Sequence, residues 1–159
     1  MSTTIGNEDA DTAGRGPVER RGPVIVGIDG STNAQRALAV AADLARAVDA
    51  DLAVFHALGL MTVIEGRHVP SEGHRDDIER LLRNEWCSAL QGDRTLRWRA
   101  EIVYGSPAEV LLSLARDLDA SFVVVGSRGV GDEQALGSTS HHVVHHSDRP
   151  VVVVPPAAR

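Results

Sequence analysis

The sequence predicts an α/β fold, an open doubly wound five-stranded parallel sheet with helices on both faces. Three observations predict it. The runs at residues 24–28 and 122–125 are short, continuous and apolar, the pattern of strands buried on both faces. Apolar runs alternate with segments of helical periodicity in the order β-α-β-α-β-α-β-α-β, and strand–helix–strand units imply parallel neighbours. Finally, 159 residues, 43% of them hydrophobic, make one domain able to bury a core without disulfides or metals.

The elements follow in chain order. Residues 1–22 carry Gly, Asp, Arg and Glu without periodicity and are expected to be a disordered tail, leaving a folded domain over 23–156. After the first strand, Asp29-Gly30-Ser31 breaks the apolar run, and an alanine-rich helix over 33–48 sets Leu38, Ala42 and Ala45 on one face. A second strand covers 52–58. A loop over 59–70 leads to a helix over 72–90, with Ile78, Leu81, Leu82 and Trp86 at helical spacing. Residues 96–103 alternate apolar and charged, so this third strand has one wet face and belongs at a sheet edge. Ser106-Pro107-Ala108-Glu109 is a capping box with proline at the first helical position, starting a helix that runs to about 118. The buried strand 122–125, a glycine-rich segment, a short helix over 138–146 and a last strand over 150–154 complete the chain.

Right-handed crossovers and two doubly buried strands favour the strand order 3-2-1-4-5. The fifth strand is then an edge, yet Val151–Val154 is entirely apolar. An uncovered hydrophobic edge invites aggregation, and the economical cover is a second copy across a two-fold axis. A homodimer through Val151–Val154 is therefore expected.

Composition removes several classes of function. All 16 basic residues are arginine, so a Walker-A lysine and a Schiff-base lysine are absent. A net charge of −6 and only two Trp, one Tyr and two Phe offer neither a basic groove nor a stacking platform for nucleic acid. No apolar run approaches a membrane span, and the first 22 residues lack a signal-peptide apolar region, so a cytoplasmic protein is expected. The single cysteine, Cys87, asks for no oxidising compartment.

In such a sheet, ligands bind beyond the carboxyl ends of the strands where strand order reverses, here between the first and fourth strands. The loops at that point are Asp29-Gly30-Ser31 and Gly126-Ser127-Arg128-Gly129, with Gly137-Ser138-Thr139 opening the last helix. Glycines let a backbone approach a ligand, and a helix N-terminus favours an anion. Ordinary βα turns use the same residues, so composition alone leaves both readings open.

The segment from Val24 to Ser31, the strand ending Phe55-His56-Ala57, the run from Val123 to Gly129, the pair Gly137-Ser138, and Arg149-Pro150 with its four valines together resemble the universal stress protein family. The resemblance spans about residues 22–156. It implies the sheet described above, dimerisation through the last strand and, in one branch, ATP binding through a G-x2-G-x9-G-[ST] pattern. By that resemblance Asp29 and the backbone of Ala57 hold adenine and ribose. Val125, Gly126, Gly129, Gly137, Ser138 and Thr139 line the ribose and phosphate site, with ATP, with or without Mg2+, as ligand. One departure stands out. Seven residues separate Gly129 from Gly137 where the family pattern has nine. The difference is up to ~7 Å of extended chain or about 3 Å of helix. The shortened segment also carries Asp132 and Glu133, whose carboxylates repel a triphosphate if they point inward; Arg128, taken as a further nucleotide-binding candidate, either offsets them or faces solvent.

The expected function is thus a homodimeric, ATP-binding regulatory module of the stress-response type. The alternatives are a dimeric interaction module with the same fold and no nucleotide, and a slow ATPase. No Gly-x-Ser-x-Gly elbow or His-Glu-x-x-His occurs, and the switch-point loop lacks a Ser-Gly-Gly-x-Asp-Ser pyrophosphatase loop, so an enzyme is not expected. His56 and Cys87 are read as structural. His141, His142, His145 and His146 form two i,i+4 pairs with no further ligand nearby in sequence, and are read as solvent-facing or dimer-edge side chains rather than a metal site.

Overall fold

The computed structural model describes residues 4–7, 21–128 and 136–158. Eight strands and four α-helices occur among them: β1 (Thr4–Gly6), β2 (Val24–Gly27), α1 (Thr32–Val48), β3 (Leu52–Leu58), β4 (Met61–Ile64), β5 (Arg67–Pro70), α2 (Arg75–Leu81), β6 (Trp98–Tyr104), α3 (Pro107–Asp117), β7 (Phe122–Gly126), α4 (Ser138–His146) and β8 (Val151–Val154).

The main sheet has six strands in the order β1-β6-β3-β2-β7-β8. The pairs among β6, β3, β2, β7 and β8 are all parallel. Numbered as the five strands expected from sequence, these lie in the order 3-2-1-4-5. The sixth strand corrects two expectations. Thr4–Gly6 is not a disordered part of the tail, and β6 is not an edge, because β1 runs antiparallel along it. The reason is local complementarity. Ile5 packs against the core, while Asn7 accepts from Trp98 N at 3.0 Å and donates to Asp93 O at 2.7 Å. Gly6 lies so close to β6 that a Cβ would meet Trp98 O at 2.0 Å.

The strands sort their side chains onto two layers, as their period requires. Val24, Val26, Leu52 and Val54 face Leu38 of α1 and Leu82 beyond α2. Ile25, Ala53, Phe55, Val123 and Val125 face Leu111 and Ala115 of α3 and Val143 of α4. At the outer edge, Val151 and Val153 pack on the second layer and Val152 on the first.

Helix starts follow the sequence closely. Ser31 caps α1, its Oγ accepting from Ala34 N at 3.1 Å, and Asp49 closes it in a left-handed conformation. Pro107 begins α3 as expected, but Ser106 makes no side-chain cap hydrogen bond, so the capping box does not form. Its Glu109 turns instead towards α4.

Two segments depart from expectation. The loop over 59–70 contains the β4–β5 hairpin, closed by Glu65 and Gly66, both at positive φ as a two-residue hairpin turn needs. The helix expected over 72–90 is α-helical only to Leu81. It continues as a π turn over Leu82–Trp86, with Cys87 N donating to Leu82 O at 3.0 Å, and a 3₁₀ turn over Ser88–Leu90. The wider turn buries both Leu82 and Trp86. Among the described residues, no helix is long and apolar enough to cross a membrane.

Candidate functional site

A cleft of about 300 Å³ opens at the carboxyl ends of β2, β3 and β7. From β2 and its turn come Gly27, Ile28 and Asp29; from β3, Phe55, His56 and Ala57. The β7 side supplies Val125, Gly126 and Arg128, and the first turn of α4 supplies Ser138, Thr139 and Ser140, with Gly137 before them. Eight sequence-predicted residues, Asp29, Ala57, Val125, Gly126, Arg128, Gly137, Ser138 and Thr139, therefore share one cleft. The ninth, Gly129, lies outside the described residues, as do Asp132 and Glu133.

The walls are held from behind. Asp29 Oδ1 accepts from Ser31 N at 3.0 Å, which shapes the turn into α1. Asn33, buried at the start of α1, donates from Nδ2 to Arg128 O at 3.1 Å. Gly126 is the close-approach position: a Cβ there would stand 2.6 Å from Asn33 Nδ2. Ser127 N donates to Val154 O at 2.8 Å, and Gly137 N donates to Ser127 O at 2.6 Å. The Ser140 hydroxyl, fully enclosed, reaches the carbonyls of Ser127 and Gly137 at 3.1 and 3.0 Å. The β7 loop and the α4 entrance are thus stitched together. One amide the phosphate site was expected to use, Gly137 N–H, is spent on this internal bond. The next amides, at Ser138 and Thr139, begin a helix whose first turn leaves N–H groups without intrahelical acceptors.

The universal stress protein family is matched over residues 21–155, nearly the whole chain. The chain belongs to that family. It is 32% identical over 143 residues to universal stress protein YxiE of Bacillus subtilis, covering 82% of this chain and 97% of that protein. A universal stress protein of Thermus aquaticus is 36% identical over 135 residues, covering 82% and 96%. Among solved structures, a universal stress protein in complex with cAMP superposes with a TM-score of 0.64 at 25% identity, covering 87% of this chain and 100% of the other.

Several residues of this universal stress protein were invisible to sequence reasoning. Met61, Thr62 and Val63 of β4 form one wall of the cleft, and Pro107 and Val110 of α3 another. Asn33 supports the β7 loop from a position indistinguishable in sequence from any helix-start asparagine.

His56 is buried in the β3 wall. Its Nδ1–H donates to Ile28 O at 2.8 Å, its ring lies 5.0 Å from that of Trp86, and its Nε2 is enclosed without a hydrogen-bond partner. Burial holds its pKa below the usual histidine value, against the opposing effects of the Ile28 bond and the Asp29 charge. Cys87 is fully buried, and burial pushes its thiol up to about 12. Both fit the structural roles expected of them.

Proposed function

We propose that this universal stress protein binds an adenine nucleotide in the cleft at the ends of β2, β3 and β7, and acts as a homodimeric, non-catalytic regulatory module in the cytoplasm. The observation that carries the reading is the convergence of Asp29, Gly126 and the first turn of α4 on one cleft. Asp29 offers a carboxylate to ribose hydroxyls or an adenine amine. Gly126 leaves the room in which Asn33 holds the Arg128 carbonyl and so shapes the β7 loop at the cleft, a place that a side chain would fill. The α4 entrance offers amide donors and a positive dipole end to phosphate. ATP, with or without Mg2+, is the ligand we favour from the family resemblance. The related protein bound to cAMP supports at least an adenine and one phosphate. A binding role rather than catalysis is supported by His56, enclosed and tied to Ile28, and by the inert Cys87 thiol.

One observation favours a second reading, a dimeric interaction module without nucleotide. Gly137 N–H already donates to Ser127 O, which removes a donor from the phosphate end.

Ser138→Glu separates the two. Ser138 is exposed at the start of α4, so a carboxylate there suits the helix dipole while repelling phosphate. Calorimetric titration of tag-free protein with ATP, AMP and cAMP should give saturable binding that this variant loses by more than about tenfold, with its melting temperature maintained. Absence of binding to all three would leave the second reading, and equal binding by the variant would overturn the α4 entrance as the phosphate site.

A further inference from the structure

Four histidines occupy α4, and the nucleotide reading uses none of them. They form two i,i+4 pairs, the spacing that brings side chains together on a helix surface. The His141 and His145 rings are 4.4 Å apart and tilted by 48°. The His142 and His146 rings are 4.1 Å apart and nearly parallel, at 20°.

Two contacts single out the second pair. His146 Nδ1–H donates to the His142 carbonyl at 2.9 Å, which fixes the tautomer and leaves the Nε2 lone pair directed outward from that bond. Metal-ligating histidines are oriented by such a bond from the other ring nitrogen to a backbone carbonyl. In addition, His142 Nε2 lies 3.1 Å from Glu109 Oε1 on α3. A carboxylate distant in sequence thus stands beside the pair, the acidic partner that local sequence lacked. Both rings are open to solvent, His142 at 41% side-chain exposure.

We propose that His142 and His146 form a two-histidine surface site for a divalent transition cation that prefers imidazole, such as Cu2+, Ni2+ or Zn2+. Imidazole suits these ions, and an i,i+4 pair can present two ring nitrogens to one of them. Among the described residues, no three His, Cys, Asp or Glu side chains already gather as a metal site. The protein therefore supplies two ligands, water fills the remaining positions, and Glu109 contributes charge rather than a bond. On binding, the His142 ring turns out of its stack on His146 and away from Glu109, its Nε2 proton passes to Nδ1 or to solvent, and the freed lone pair takes the cation beside His146 Nε2. The site requires neither nucleotide nor a second subunit.

The test is titration of tag-free protein with Cu2+ and, separately, Zn2+ by calorimetry, with the visible absorption of bound Cu2+ as a second readout. Saturable binding of one ion is expected. His142→Ala with His146→Ala should weaken it by more than about a hundredfold, beyond the scale of outer-shell changes, with unchanged circular dichroism. His141→Ala with His145→Ala should retain it, as should His68→Ala with His74→Ala. The proposal is overturned if the wild type takes up no ion saturably, if the first double variant binds equally well, or if the loss follows His141 and His145 instead.

Discussion

A Cβ on Gly30 would stand 2.5 Å from Cζ2 of Trp86. Gly30 also has a φ of +80°, in the left-handed region. The β2–α1 turn that carries Asp29 is therefore shaped by an indole delivered from the π turn, on the opposite side from the cleft's α3 wall. Gly30→Ala should lower unfolding stability by about 3 kcal/mol, from backbone strain and overpacking together. An unchanged urea midpoint would mean that Trp86 yields freely.

His56 should make stability depend on pH. Its folded pKa is lowered, chiefly by burial, so the unfolded chain binds the proton first as pH falls. The neutral ring's contribution is complete above the unfolded value of about 6.5 and declines as pH drops towards the lowered folded value, by at most ~1.4 kcal/mol per pH unit. His56→Gln should flatten that slope in denaturant midpoints measured from pH 8 to 5. Parallel curves for the two proteins would refute it.

With its thiol pushed up to about 12, Cys87 has almost no thiolate at neutral pH. A disulfide exchange reagent at pH 8 should leave the native protein unmodified and titrate one thiol in denaturant. Prompt reaction of the native thiol would show that the π-turn region opens readily.

The free side of β8 can be identified from its hydrogen bonds. Pro150 O and Val154 O accept from β7, so by the alternation of a parallel strand Val152 also faces β7 while Val151 and Val153 point their backbone outward. If two copies pair along this edge, Val153→Pro should remove an intersubunit donor and spare the β7 ladder. Sedimentation should then give a monomer for the variant and a dimer for the wild type. A wild-type monomer, or a variant dimer, would exclude this interface.

The parallel sheet was legible because period and burial agree: the apolar runs ending at Ile28 and Val125 have one plausible environment, and the switch-point rule then locates the cleft without coordinates. What stayed hidden depends on contacts distant in sequence. β1 has three residues and no period of its own, and it exists because Asn7 and Ile5 fit β6. The β4–β5 hairpin gives no alternating signal strong enough to separate it from a loop, yet it brings Met61 and Thr62 to the cleft. Ser106 and Glu109 carry a capping pattern, but the contact with His142 on α4 takes Glu109 away from it.

The two ends of the sheet are finished differently. Among the described residues, one stops at the three residues of β1, too short to template much further pairing; the other stops at the valines of β8. Any edge-to-edge association of this chain through β8 consumes the extendable end of each participant. If two copies pair there, the assembly is self-terminating at two members, because β1 offers only three residues to any further strand.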